Sequence, residues 1–145
     1  MTVAIPRQLR IARNIKPGSE PLPSEIAIAQ ALVDQLSIGV LLRGQNVPGG
    51  DALLSLDNPR RLRAEFKTLQ VSSARAVERN LREASRQTGP YPSAVVLDAR
   101  AAGTSVGEAE RFIDRALGLV AARRPWLRLV LVMTCDGIIE RRLMR

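Results

Sequence analysis

Apolar and charged residues alternate from Arg61 to Lys67, so that Leu62, Ala64 and Phe66 fall on one side of an extended chain and Arg63, Glu65 and Lys67 on the other. The period predicts a strand with one buried face, and it sets Glu65 and Lys67 side by side. Shorter apolar runs predict further strands at Gly39-Val40-Leu41-Leu42, over "DALLSL" from Asp51, over "SAVVLDA" from Ser93 and over "LRLVLVM" from Leu127. Helical periods lie between them. Ser24 is placed to cap a mostly apolar helix over about residues 25–36, with Glu25 in its first turn. Ser72 or Ser73 caps a second helix, about Ala74 to Thr88, whose apolar stripe is Ala74, Val77, Leu81 and Ala84. Ser105 and Glu108 match a capping box that opens a third, to about Ala122.

Turn chemistry orders these pieces. "NVPGGD" at residues 46–51 and Asn58-Pro59 separate the early strands, and Asp136-Gly137 turns a hairpin into "IIERRL". Strand, helix and strand in succession make βαβ units, which need parallel pairing and a right-handed crossover. The expected protein is α/β, a mixed central β-sheet flanked by helices in the order α-β-β-β-α-β-α-β-β. Residues 1–16 are basic, with Arg7, Arg10 and Arg13 at helical spacing, and "PGSEPLP" after them forbids a continuous helix. Residues 1–23 therefore read as a loose basic arm and linker, and residues 24–145 as one domain.

Composition changes this picture in three ways. Of 145 residues 46% are hydrophobic but only 3% aromatic, so the core is aliphatic. Lys and Arg outnumber Asp and Glu 22 to 14, a formal charge of +8 that favours a polyanionic partner, nucleic acid first. The scarcity of aromatics argues against stacking platforms for single strands and for a reader of the phosphate backbone. Cys135 is the only cysteine and histidine is absent, which excludes a disulfide framework, a structural zinc site and any Ser-His or Cys-His pair within the chain. Any metal must be held by oxygens. Apolar runs are too short to span a bilayer, so no membrane role is expected, and the N-terminal arginines do not suit a signal peptide; a cytoplasmic protein is the expectation.

Two features could carry chemistry. Arg75, Arg79, Arg82 and Arg86 fall on one arc of the second helix, a ridge suited to phosphate contact or simply a solvated face, with Arg61 and Arg63, and Arg60 before them, adding to the positive surface. Lys67 is one of only two lysines against twenty arginines. Asp51, after a Gly-Gly turn, and Glu65, with or without Glu25 and the Phe66 carbonyl, would supply the hard oxygen ligands that Mg²⁺ prefers. Beside such an ion an ammonium can orient or deprotonate water, which a guanidinium cannot. The plain alternative makes Glu65 and Lys67 an ion pair, Asp51 a turn residue and Glu25 a helix-start charge. Asp98, ending "VVLD", reads as a strand-end cap.

The order Glu25, Asp51, Glu65-Phe66-Lys67 resembles the core of the PD-(D/E)XK, or restriction-endonuclease-like, nuclease superfamily. "SEIAIAQALVDQLSIGVLLRG", "GGDALLSL", "AEFKTLQVSSARAVERNLREASRQTG" and "SAVVLDARAAGTSVGEAERFIDRALG" resemble the C-terminal toxin domains of contact-dependent growth inhibition proteins, a branch whose members cleave tRNA. The resemblance covers about Ser24 to Leu143. It departs from the pattern where two glycines separate Pro48 from Asp51 and where "SLDNPRRLRA" lengthens a connection. It implies a restriction-endonuclease-like core, a Mg²⁺ or Mn²⁺ ion held by Asp51, Glu65 and Glu25, a water assisted by Lys67, and a site glutamine at Gln87. It also implies a toxin-type RNase acting on tRNA in the cytoplasm, delivered as part of a larger secreted protein and matched by a cognate immunity or antitoxin protein. A free-standing intracellular nuclease, a DNA endonuclease, a non-catalytic nucleic-acid-binding module and a scaffold for an acidic protein are the alternatives.

Overall fold

A computed structural model describes residues 9–45, 47, 50–56 and 61–143. The elements run β1 (Leu9–Ile11), α1 (Pro23–Leu36), β2 (Gly39–Leu42), β3 (Ala52–Ser55), β4 (Arg61–Thr68), α2 (Ala74–Thr88), β5 (Ser93–Asp98), α3 (Val106–Val120), a 3-10 turn (Ala121–Arg123), β6 (Leu127–Thr134) and β7 (Gly137–Arg142). The strands form one seven-stranded sheet in chain order. β1 and β2, β4 and β5, and β5 and β6 pair in parallel; β3 and β7 run antiparallel to their neighbours. The protein is thus α/β with a mixed sheet and flanking helices, as the hydrophobic periods predict.

Alternation in the strands divides the core in two. Leu62, Ala64 and Phe66 of β4 join Ala94 and Val96 of β5 and Leu129, Leu131 and Met133 of β6 under α1, against Ile28, Ala29 and Leu32. Val95 and Leu97 of β5 and Val130 and Val132 of β6 face the opposite way, onto Val77, Leu81 and Ala84 of α2 and Ile113 and Ala116 of α3. All six residues of β5 are buried because both its faces are covered. α2 and α3 cover β4 to β7 on their side, and half-buried Leu41 and Leu53 lie on the β2–β3 corner of that face.

Two local expectations change. Leu9–Ile11 belongs to the sheet rather than to a loose arm: it pairs with Val40 to Leu42, and Leu9 packs on the α1 cluster. Three residues with one anchoring side chain are too few to show a period, and the Arg10 and Arg13 spacing pointed to a helix. The first helix begins two residues before the expected start, with Pro23 in its first turn, where its missing N–H costs nothing. Leu22, not Ser24, is the N-cap, and the Glu25 carboxylate accepts its N–H at 2.7 Å. The other caps hold as read: Ser73 Oγ accepts from Ala76 N–H at 3.1 Å, and Ser105 and Glu108 complete a reciprocal box. Arg7, Arg60, Pro48 and the Asn58-Pro59 turn lie outside the described residues.

Candidate active site

The site forms where β3 begins and β4 runs on past it. Ala52 pairs with Ala64, and Asp51 N–H donates to the Ala64 carbonyl at 2.7 Å, which sets Asp51 opposite Glu65 in the next row. Ala52 and Ala64 point under α1, so the pleat sends Asp51 and Glu65 to the α2 side. Arg43 extends the row: its N–H donates to the Asp51 carbonyl at 2.8 Å, and its Nη1 to the Gly50 carbonyl at 3.3 Å. At Gly50 the chain leaves the sheet with φ +114°, and a Cβ there would stand 2.6 Å from the Ala64 carbonyl oxygen. Only glycine allows β3 to start at this place.

Past that point, among the described residues, β4 has no strand beside it on the β3 flank. The Phe66 N–H finds its acceptor in Asp51 Oδ2 at 3.0 Å instead. A strand residue points its N–H and C=O to the same flank; the Phe66 carbonyl therefore opens onto the carboxylates. Glu25 arrives from α1, which starts at the edge where the parallel strands end, and its carboxyl is hydrogen-bonded to Asp51. Three acidic side chains, from a helix, a strand and the turn that leads into β3, thus meet at Asp51.

Their crowding shows in their proton affinities. Burial, then the charge and hydrogen bond of Asp51, push the Glu65 carboxyl up to about 8 against an opposing pull from Lys67. Burial raises Glu25 to about 7, with Asp51 adding to it and the Leu22 N–H working against it. Among the described residues no three His, Cys, Asp or Glu side chains are arranged as a ready-made ion cage. The raised proton affinities of Glu25 and Glu65 favour their neutral forms, and a cation would have to displace those protons. The donors available to it, three carboxylates and the Phe66 carbonyl, are hard oxygens of the kind Mg²⁺ and Mn²⁺ take.

Lys67 stands two residues beyond Glu65 on the same face. Its ion pair is not with Glu65 but with Glu83 of α2, Nζ to Oε1 at 3.4 Å. The pair leaves Lys67 only 21% exposed at the side chain while Glu83 stays half-exposed. Gln87 is exposed one turn beyond Glu83, on the same side of α2, and makes no hydrogen bond to the carboxylates among the described residues. Arg75, Arg79, Arg82 and Arg86 are all exposed, turned about 40° to 100° around the helix from Glu83 toward solvent. Arg82 meets Glu78 at 3.7 Å. Arg61 is exposed at the start of β4, whereas Arg63 is half-buried with its guanidinium 4.4 Å from the centre of the Tyr91 ring. Asp98 is held by Arg100 through two side-chain bonds of 2.9 Å and caps its own strand end.

Three residues at the site escaped the sequence reading. Arg43 continues the outward phase of Leu41 and would have been found from the β2–β3 register. Glu83 needed α2 laid along β4. Tyr91, the only tyrosine, sits between two prolines in "GPYPS", a signal that marks a rigid turn but not its neighbour. No protein-family model matches the chain, and no curated protein or solved structure is significantly similar to it. Among the described residues no helix is long and apolar enough to cross a membrane.

Proposed function

We propose that the chain is a metal-dependent nuclease that hydrolyses phosphodiester bonds, with RNA, tRNA foremost, as its substrate. The observation that carries this reading is the meeting of Glu25, Asp51 and Glu65, far apart in sequence, beside Lys67 at the C-terminal edge of the parallel strands, where open α/β sheets bind their ligands. Asp51, Glu65 and Glu25, with the Phe66 carbonyl, would hold the divalent ion. Such an ion supplies positive charge at the phosphate and makes water a stronger acid. Asp51, anchored by the Phe66 N–H at 3.0 Å, keeps one oxygen fixed and orients the other. Lys67, tethered by Glu83, donates hydrogen bonds to the attacking water or to a phosphate oxygen. The α2 ridge attracts the strand, and the choice of tRNA rests on the resemblance to growth-inhibition toxin domains, as does an immunity protein as partner.

The test is incubation of the purified protein with total tRNA and with plasmid DNA, in Mg²⁺, in Mn²⁺ and in chelator. Cutting of RNA that needs the ion and is lost in Asp51→Asn and Lys67→Ala supports the proposal; cutting of DNA alone shifts it to a DNA endonuclease. Salt-sensitive binding with every substrate left intact makes the protein a binding module and rejects catalysis.

A further inference from the structure

The acidic cluster has a second, positively charged flank whose geometry is independent of any ion. Arg63 stands two residues before Glu65 on β4, about 6.5 Å along the strand, and points to the same face. Arg43 completes the Asp51–Glu65 row on the other side, close enough to Arg63 for the two guanidiniums to repel each other. Tyr91 lies beside both, its ring under the Arg63 guanidinium and the residue still 45% exposed.

The backbone that carries the ring is held in place. Pro90 and Pro92 restrict the backbone on both sides, the Tyr91 N–H donates to the Thr88 carbonyl at 3.2 Å, and the Arg63 N–H donates to the Pro92 carbonyl at 3.2 Å. Behind the turn, Gly89 packs so tightly on Trp126 that a Cβ would meet the indole at 2.7 Å, while Trp126 Nε1 donates to the Ser85 carbonyl at 2.6 Å. A half-exposed ring stacked on arginine, carried by a turn between two prolines, is costly surface to leave facing water in a chain with 3% aromatics. The restrained backbone lowers the conformational entropy lost when something stacks on the ring.

We propose that Arg43, Arg63 and Tyr91 form a nucleotide-binding subsite next to the acidic cluster, in which the guanidiniums take a backbone phosphate and the Tyr91 ring stacks on an unpaired base. The subsite deepens the nuclease reading and rests on it for its meaning, because it makes a single-stranded or looped segment, not a continuous duplex, the part of the substrate that lies in the cleft. It also reverses the expectation that so few aromatics leave no stacking platform.

Binding in chelator separates this proposal from catalysis. Fluorescein-labelled ribo- and deoxyribo-oligonucleotides of one sequence, single-stranded and as duplexes, are titrated by fluorescence anisotropy with the wild type, Tyr91→Ala, Tyr91→Phe and Arg63→Lys, each variant first checked by thermal melting. Stacking on one base predicts that Tyr91→Ala weakens single-strand binding about 5- to 100-fold. Duplex binding should change less than twofold, and Tyr91→Phe should stay near wild type in both. Arg63→Lys, which loses the flat stacking partner but keeps the charge, should fall between. A loss confined to the ribo- or the deoxyribo-strand supports the subsite and identifies its sugar. Equal loss on single strand and duplex, no loss with either sugar, or no measurable wild-type binding overturns it. If the subsite binds as described but no condition gives cutting, the nuclease reading fails and the subsite stands; if RNA is cut yet Tyr91→Ala binds as wild type, the reverse holds.

Discussion

Replacing Glu65 by Gln should make the metal-free protein more stable, and the gain should grow with pH. Glu65 has its proton affinity raised from an ordinary 4.5 to about 8. The folded chain therefore holds a proton that the unfolded chain has already lost, and stability falls as pH rises from about 4.5 toward 8. Each pH unit of that interval costs about 1.36 kcal/mol. Up to pH 7 this amounts to about 3 kcal/mol, which solvent screening of a partly exposed group reduces to roughly 1–2 kcal/mol. Gln cannot ionise, fills the same space, and can still donate to Asp51, so it removes the penalty and keeps the contact. For a chain of this length that is an increase in melting temperature of about 2–8 °C. Differential scanning fluorimetry in chelator at pH 5, 6, 7 and 8 reads it directly. Near-zero change at pH 5 and a rising gain to pH 8 is the expected pattern; a lower melting temperature at pH 8, or the same gain at every pH, refutes the crowding of the carboxyls.

Other perturbations probe different links. Lys67→Ala should reduce RNA cleavage about 10²- to 10⁴-fold in single-turnover assays while leaving binding in chelator within about twofold, the mark of a group that acts in the chemical step. Gly50→Ala should cost at least about 2 kcal/mol in urea unfolding, since a side chain at φ +114° would strike the Ala64 carbonyl and push β3 off β4. Reversing Arg79 and Arg86 together to Glu should weaken nucleic-acid binding on all sequences alike and flatten its dependence on salt, without altering the melting curve.

How much of this was legible in the chain follows from what each signal measures. The α2 boundaries and the β2 span fall where Ser73, the apolar stripe and the Gly39–Leu42 run put them, because those elements are amphipathic or continuously apolar and carry their own period. β1 was not legible: three residues held by backbone bonds to β2 leave no pattern in their side chains. Within the site, the alternation at Leu62 to Lys67 was enough to place Glu65 and Lys67 on one face. Facing Asp51 with Glu65 required a register, and the register depends on Gly50, whose positive φ ends the pairing at Ala52 and Ala64. Arg43, Glu83 and Tyr91 join the site from β2, α2 and the turn before β5. Only tertiary packing brings those three segments together, and no local period encodes it.

The proposed function requires Glu25, Asp51 and Glu65 together to hold a hard divalent ion. Titration of the wild type and of Asp51→Asn with Mn²⁺, with the free ion followed by electron paramagnetic resonance at pH 7, tests it most directly. Saturable uptake by the wild type with release of protons from the Glu25 and Glu65 carboxyls, weakened at least about tenfold in Asp51→Asn, is the predicted result. Equal uptake by the two proteins, or no uptake by the wild type at millimolar Mn²⁺, contradicts it.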